Sequence, residues 1–95
     1  MQHPIEHEDH GSKGVFFIRD DGQRVAEMTY TRTGPSSITI DHTQVDDSLG
    51  GHGVGRQLLG ELVSWARSIR TKVTPVCSYA KAQFDKDASI RDVLA

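Results

Sequence analysis

Leu49-Gly50-Gly51-His52-Gly53-Val54-Gly55-Arg56-Gln57-Leu58 is the stretch on which the reading turns. Four glycines run into a segment whose apolar residues, Val54, Leu58, Leu59, Leu62, Val63, Ala66 and Ile69, recur at the spacing of an amphipathic helix. Gln57, Glu61 and Arg67 fall on the other side, and the helix is expected to end near Arg70, where basic residues suit the negative end of its dipole. Glycine admits backbone conformations closed to other residues and leaves its N–H groups open to an incoming ligand. The helix N-terminus adds unpaired N–H donors and roughly half a positive charge. Together they make an anion site suited to phosphate.

Downstream, Lys72-Val73-Thr74-Pro75-Val76-Cys77 reads as a short strand, with Pro75 limiting it to partial or edge pairing. Upstream, Val15–Ile18, Val25–Thr31 and Ile38–Thr43 read as strands separated by the turn signals Asp20-Asp21-Gly22 and Gly34-Pro35-Ser36. Short turns predict an antiparallel meander. The strict alternation of the third strand puts Ile38, Ile40 and His42 on one face and Thr39, Asp41 and Thr43 on the other. Ile5–Glu8 can pair with the meander through Gly11–Gly14, although residues 1–10 are free to move as a chain end. Strand, long helix and returning strand form a βαβ unit, so the last strand should run parallel to its neighbour. The tail from Tyr79 to Leu94 reads as short helical pieces.

Ninety-five residues make one domain with a thin core. A hydrophobic fraction of 36% and a charged fraction of 25% are those of a globular protein. The net charge of −2, with 11 basic and 13 acidic residues and no basic cluster, argues against nucleic acid as a partner. No apolar run approaches the ~20 residues of a membrane span, and the N-terminus lacks the basic start and apolar centre of a signal peptide. A single cysteine, Cys77, fits a reducing compartment, and the cytoplasm is expected. His3, Glu6, His7, Glu8, Asp9 and His10 lack the second ligand cluster that a metal site would need, so no metal is expected.

Two familiar phosphate loops are excluded. The P-loop's Lys-Ser/Thr is replaced by Arg56-Gln57. The dinucleotide pattern fails from Gly51, where Arg56 takes the third place, and from Gly53, where Leu58 does. The loop instead resembles the acetyl-CoA loop of the GNAT superfamily, Arg/Gln-x-x-Gly-x-Gly/Ala. Gly53 and Gly55 are its small residues, and Gly50 stands where the superfamily has Arg or Gln. With His42-Thr43-Gln44-Val45 and Pro75-Val76-Cys77 at their distances, the chain from Gly14 to Leu94 resembles the small single-domain GNAT-like family of the YjdJ type.

The resemblance implies an α/β (α+β) fold: a meander, then a βαβ unit with splayed parallel strands, then short helices. It implies acetyl-CoA as cofactor, its pyrophosphate at Gly50, Gly51, His52, Gly53, Val54, Gly55 and Arg56, and its pantetheine arm along Thr43, Gln44 and Val45. It places His42 and Cys77 beside the acetyl group. The implied activity is transfer of an acetyl group to the amine of an unidentified acceptor, by a monomer or weak dimer.

Chemically, a histidine near its neutral titration range serves as base. A cysteine either accepts the acetyl group or protonates the leaving thiol. Each residue also has a plain reading: His42 as a core histidine beside Ile38 and Ile40, Cys77 as a buried thiol, the glycines as a helix-entry turn. Glu27 is a second candidate base if it reaches the gap, while Trp65 and Tyr79 are expected to pack. A CoA-binding module without efficient turnover is the alternative function. A domain with no ligand leaves the glycines unexplained.

Overall fold

In the computed structural model, which describes residues 4–49 and 53–95, an N-terminal meander feeds a single βαβ crossover. The strands are β1 (Glu6–Asp9), β2 (Lys13–Asp20), β3 (Gln23–Gly34), β4 (Ser37–Val45) and β5 (Lys72–Pro75), in that order across one sheet. The helices are α1 (Val54–Ser68) and α2 (Ser78–Lys86), with 3₁₀ turns at Asp47–Leu49 and Ala88–Val93. β1 to β4 are antiparallel neighbours and β5 is parallel to β4, as the βαβ pattern predicts. The β2–β3 turn closes on Asp21 and Gly22, both at positive φ (53° and 78°). Such a turn matches the twist of the flanking strands.

α1 and α2 cover one face of the sheet. Met28, Tyr30, Ile38 and Ile40 from the strands meet Leu58, Leu59, Leu62, Val63 and Ala66 of α1 and Ala80 and Phe84 of α2 in one core. Arg56 pairs with Asp87, and Arg67 bridges to Asp92 at 2.7 Å, so both ends of α1 are tied to the C-terminal segment. The other face carries Thr29, Thr31, Thr39, Asp41, His42 and Gln44 and is open, an arrangement antiparallel strands tolerate. Val15 and Phe17 lie on that face yet are buried; the Arg24 guanidinium stacks 4.0 Å from the Phe17 ring. The free edge of β5 is closed by the chain end, through a Val73–Leu94 bridge and the Ala95 N–H bonded to the Val73 carbonyl.

The short strand β1 is held by side chains as much as by its ladder. His7 stacks on Phe16 with centroids 4.0 Å apart, and its Nε2 lies 2.6 Å from the Tyr30 hydroxyl. Arg32 makes two bonds to Asp9, at 2.6 and 2.9 Å. Burial pushes the His7 pKa below its ordinary value and raises the Tyr30 phenol to about 12. A histidine with a lowered folded pKa takes up its proton first in the unfolded chain. Its contribution to stability is therefore complete above the unfolded value of about 6.5 and declines as the pH falls below it. Thermal melts should show Tm falling between about pH 7 and about pH 5.5. His7→Gln, which keeps a partner for the phenol without titrating, should flatten that dependence; an unchanged slope would assign it to other groups. Asp9, held below the usual carboxylate range by its bonds from Arg32, adds a further loss only in stronger acid.

Candidate functional site

The ladder between β4 and β5 stops early. Its last pair is Ile40 with Pro75, after which the N–H groups of both Val76 and Cys77 turn onto the Ile40 carbonyl, at 2.9 and 3.0 Å. β4 continues to Val45, paired only with β3. Because the Asp46 N–H bonds the Val25 carbonyl, strand alternation turns the backbone groups of Thr43 and Val45 away from β3, into the gap that β5 has left. An extended ligand could add there as a strand.

A bulge in β4 decides which side chains face which way. Tyr30 pairs with Ile40 and Thr29 with His42, so Asp41 is the extra residue. The alternation therefore flips: Thr43 joins Ile38 and Ile40 on the helix-covered face, while Asp41, His42 and Gln44 share the open face. The expected grouping of His42 with Ile38 and Ile40 is thus overturned, and with it the core-histidine reading: His42 is exposed. Its Nε2 makes a long contact of 3.4 Å to Gln44 Oε1. In the tautomer where Nε2–H donates, the lone pair is on Nδ1.

Cys77 lies on the opposite side of β4. It is the N-cap of α2, half-buried, its sulfur accepting the Ala80 N–H at 3.4 Å and lying 3.3 Å from Thr43 Oγ1. The structure thus brings Cys77 to Thr43, across 34 residues of chain, and sets His42 on the other face. Glu27 pairs with Gln44 on the open face and lies 3.9 Å from Arg24.

Gly50, Gly51 and His52 lie outside the described residues. Gly53 is the N-cap of α1 in the left-handed region (φ 68°), with no side-chain cap. The first intrahelical bond is Gln57 N–H to the Gly53 carbonyl, so the N–H groups of Val54, Gly55 and Arg56 have no acceptor within the helix. A Cβ on Gly55 would come within 2.9 Å of the Tyr79 ring, so this glycine seats Tyr79 against the helix start. Arg56, expected at the cofactor, is half-buried and engaged by Asp87. Uncapped N–H donors thus stand at the start of α1, and strand-edge groups and Cys77 stand where β5 parts from β4.

Thr43 beside Cys77 and the outward His42 were missed by strict alternation, which placed Asp41 on the open face as observed. Their signal was present: apolar or inward positions at 38 and 40 resume at 43 and 45, a step of three where a regular strand steps by two. Among the described residues no group of three or more His, Cys, Asp or Glu is placed to hold a metal ion, and no helix is long and apolar enough to cross a membrane.

The comparisons agree with this geometry. The profile of the GCN5-related N-acetyl-transferase family matches residues 15–93. The solution structure of a GCN5-like protein from Staphylococcus aureus is 40% identical with a TM-score of 0.74 over 95% of this chain and 87% of that one. A GNAT family acetyltransferase from Elizabethkingia anophelis with acetyl-CoA bound has a TM-score of 0.67 at 12% identity, covering 87% of this chain and 72% of its own. The ribosomal-protein-alanine N-acetyltransferase of Brucella melitensis biovar Abortus 2308 has a TM-score of 0.65 at 19% identity, covering 80% and 61%. At these last two identities the likeness is one of fold. No curated protein is matched by the chain. Meander, parted parallel strands, glycine-entered helix and a family match over most of the length lead to one assignment: the chain belongs to the GCN5-related N-acetyltransferase family.

Proposed function

We propose that the protein transfers an acetyl group from acetyl-CoA to an amine, with the pantetheine arm in the gap beyond Ile40 and the pyrophosphate at the start of α1. The parting of β4 from β5 carries this reading, because it leaves strand-edge groups at Thr43 and Val45 beside the uncapped N–H donors of Val54–Arg56. Gly50, Gly51 and His52, which precede Gly53 in the sequence, belong to the same proposed loop. Acetyl-CoA supplies the activated acyl carbon. His42 Nδ1 takes the proton of the amine on the open face, and Cys77 gives a proton to the departing sulfur on the helix side. Acid and base on opposite sides of β4 suit direct transfer. A covalent route would need a base beside Cys77, where the hydroxyl of Thr43 stands instead.

Calorimetric titration with acetyl-CoA tests the cradle. Micromolar affinity, about −8 kcal/mol, is expected. Gly53→Val forces a β-branched residue to φ 68°, at a cost of about 1–2 kcal/mol, and displaces the helix entry. Affinity should fall by about tenfold, with the fold retained. Unchanged affinity in a folded Gly53→Val protein would remove the glycines from the site.

A second reading, binding without turnover, draws on the open outer face, which among the described residues has no covering layer to wall an acceptor. Release of free thiol in the presence of mixed amines separates the two. Free Cys77 accords with our placing the protein in the cytoplasm; we read it as a monomer or weak dimer.

A further inference from the structure

β1 differs from the other strands of the sheet in carrying no apolar side chain. Its sequence is Glu6-His7-Glu8-Asp9, and each of these side chains has a polar or ionic partner on β2 or β3. Glu6 takes two bonds from Arg19, at 2.8 and 2.6 Å, and Glu8 pairs with Arg24 at 3.1 Å. Asp9 takes two bonds from Arg32, and His7 meets the Tyr30 hydroxyl. None of the ion pairs is buried, and such pairs are individually weak and screened by salt. Apolar contact comes from the His7 ring, which stacks on Phe16 and meets Trp65 edge-on at 4.8 Å, and from Ile5, half-buried just before the strand.

The topology also sets β1 apart. It pairs with β2 alone, at the end of the sheet. The turn between them is Gly11-Ser12, with Gly11 at φ 87° and the His10 N–H bonded to the Lys13 carbonyl. β2 itself is secured from its other side by β3, and its Phe16 and Ile18 belong to the core.

We propose that β1 is a releasable strand, which swings out of the sheet about Gly11-Ser12 while the rest of the domain stays folded, and that acid or salt promotes its release. Elements held by few buried apolar contacts open at lower free energy than the whole fold. Salt acts on the three ion pairs, and acid acts on His7. The groups facing the His7 ring are Asp9 on its own strand, Phe16 on β2, Tyr30 and Arg32 on β3, and Trp65 on α1. Burial disfavours the imidazolium and puts the His7 pKa below its ordinary value; Asp9 opposes this and Arg32 adds to it. The released strand therefore takes up the proton first, so attachment is strongest above about pH 6.5 and weakens as the pH falls below it. Glu6 and Asp9, held below the usual carboxylate range by their arginines, stay ionised through that window.

Amide hydrogen exchange of the intact protein, read by NMR, tests the release, because β2 carries its own control. Counting from the His10–Lys13 bond, strand alternation points the N–H groups of Val15 and Phe17 at β1, whereas Phe16 and Met28 bond one another across β2 and β3. After correction for intrinsic rates, exchange at Val15 and Phe17 should rise by up to about tenfold between about pH 7 and about pH 5.5. It should also rise at neutral pH when sodium chloride is raised to about 0.5 M. Phe16 and Met28 should not change in either arm. His7→Gln, which keeps a partner for Tyr30, should lose the pH step and retain the salt step; a pH step that survives the substitution would overturn the role given to His7. Equal acceleration at all four amides of the wild-type protein would show that the sheet opens only as a whole. No acceleration at Val15 and Phe17 would show that β1 is fixed, and either result overturns the proposal.

Discussion

His42→Ala should lower kcat by about 10²–10⁴-fold, the range of a lost general base, and leave acetyl-CoA affinity unchanged. The split follows from where the bulge places the side chain. His42 is exposed on the open face, contacts Gln44 at 3.4 Å, and takes no part in the core or in the strand edge that faces the gap. Its removal therefore leaves the groups proposed to hold the cofactor in place. Steady-state turnover with a primary amine, run beside calorimetry with acetyl-CoA, reads both quantities. A parallel fall in affinity and rate would make His42 a cofactor contact, and an unchanged rate would pass the base role to Glu27, its neighbour across the open face. Intact mass of the protein after incubation with acetyl-CoA should show no acetyl adduct on Cys77, in keeping with direct transfer.

Gly14→Ala should cost about 3 kcal/mol, near the top of the overpacking range, and so lower Tm by about 12–24 °C in a domain of this size. Gly14 and Tyr30 are cross-strand partners, and a Cβ at position 14 would lie 2.2 Å from the Tyr30 hydroxyl and 2.3 Å from Cζ. The ring cannot step aside. It is fully buried, with Trp65 at 5.0 Å and Phe16 at 5.9 Å between centroids, and its hydroxyl is held by His7. An aromatic ring laid over a cross-strand glycine is a known way of filling the space a glycine leaves in a sheet. In a Tyr30→Leu background the penalty for Gly14→Ala should shrink by half or more, which a double-mutant cycle of thermal melts measures. Additive losses would show that the two residues do not share this contact.

The helix and strands were readable because their signals are local. The apolar spacing from Val54 to Ala66, the alternation of β3 and the turn at Asp21-Gly22 each depend on residues within a few positions of one another. The parallel return of β5 followed from chain connectivity alone, and the glycine run marked the entry to α1, where Gly53 is the N-cap. The site's side-chain directions were not readable in the same way. Whether His42 points to the core or to the open face depends on the register of β4 against β3, and one bulged residue reverses it. Cys77 acquires its neighbour Thr43, Gly55 its contact with Tyr79, and Gly14 its ring from Tyr30, only when distant segments pack.

By itself, then, the sequence determined the order of elements, the meander and crossover, and the residue types available at the gap, since periodicity and backbone permissiveness act over short range. Only the tertiary structure decided that His42 and Cys77 stand on opposite sides of β4 and that His42 turns outward to share the open face with Asp41. Those facts are set by strand register and close packing, which no short stretch of chain contains.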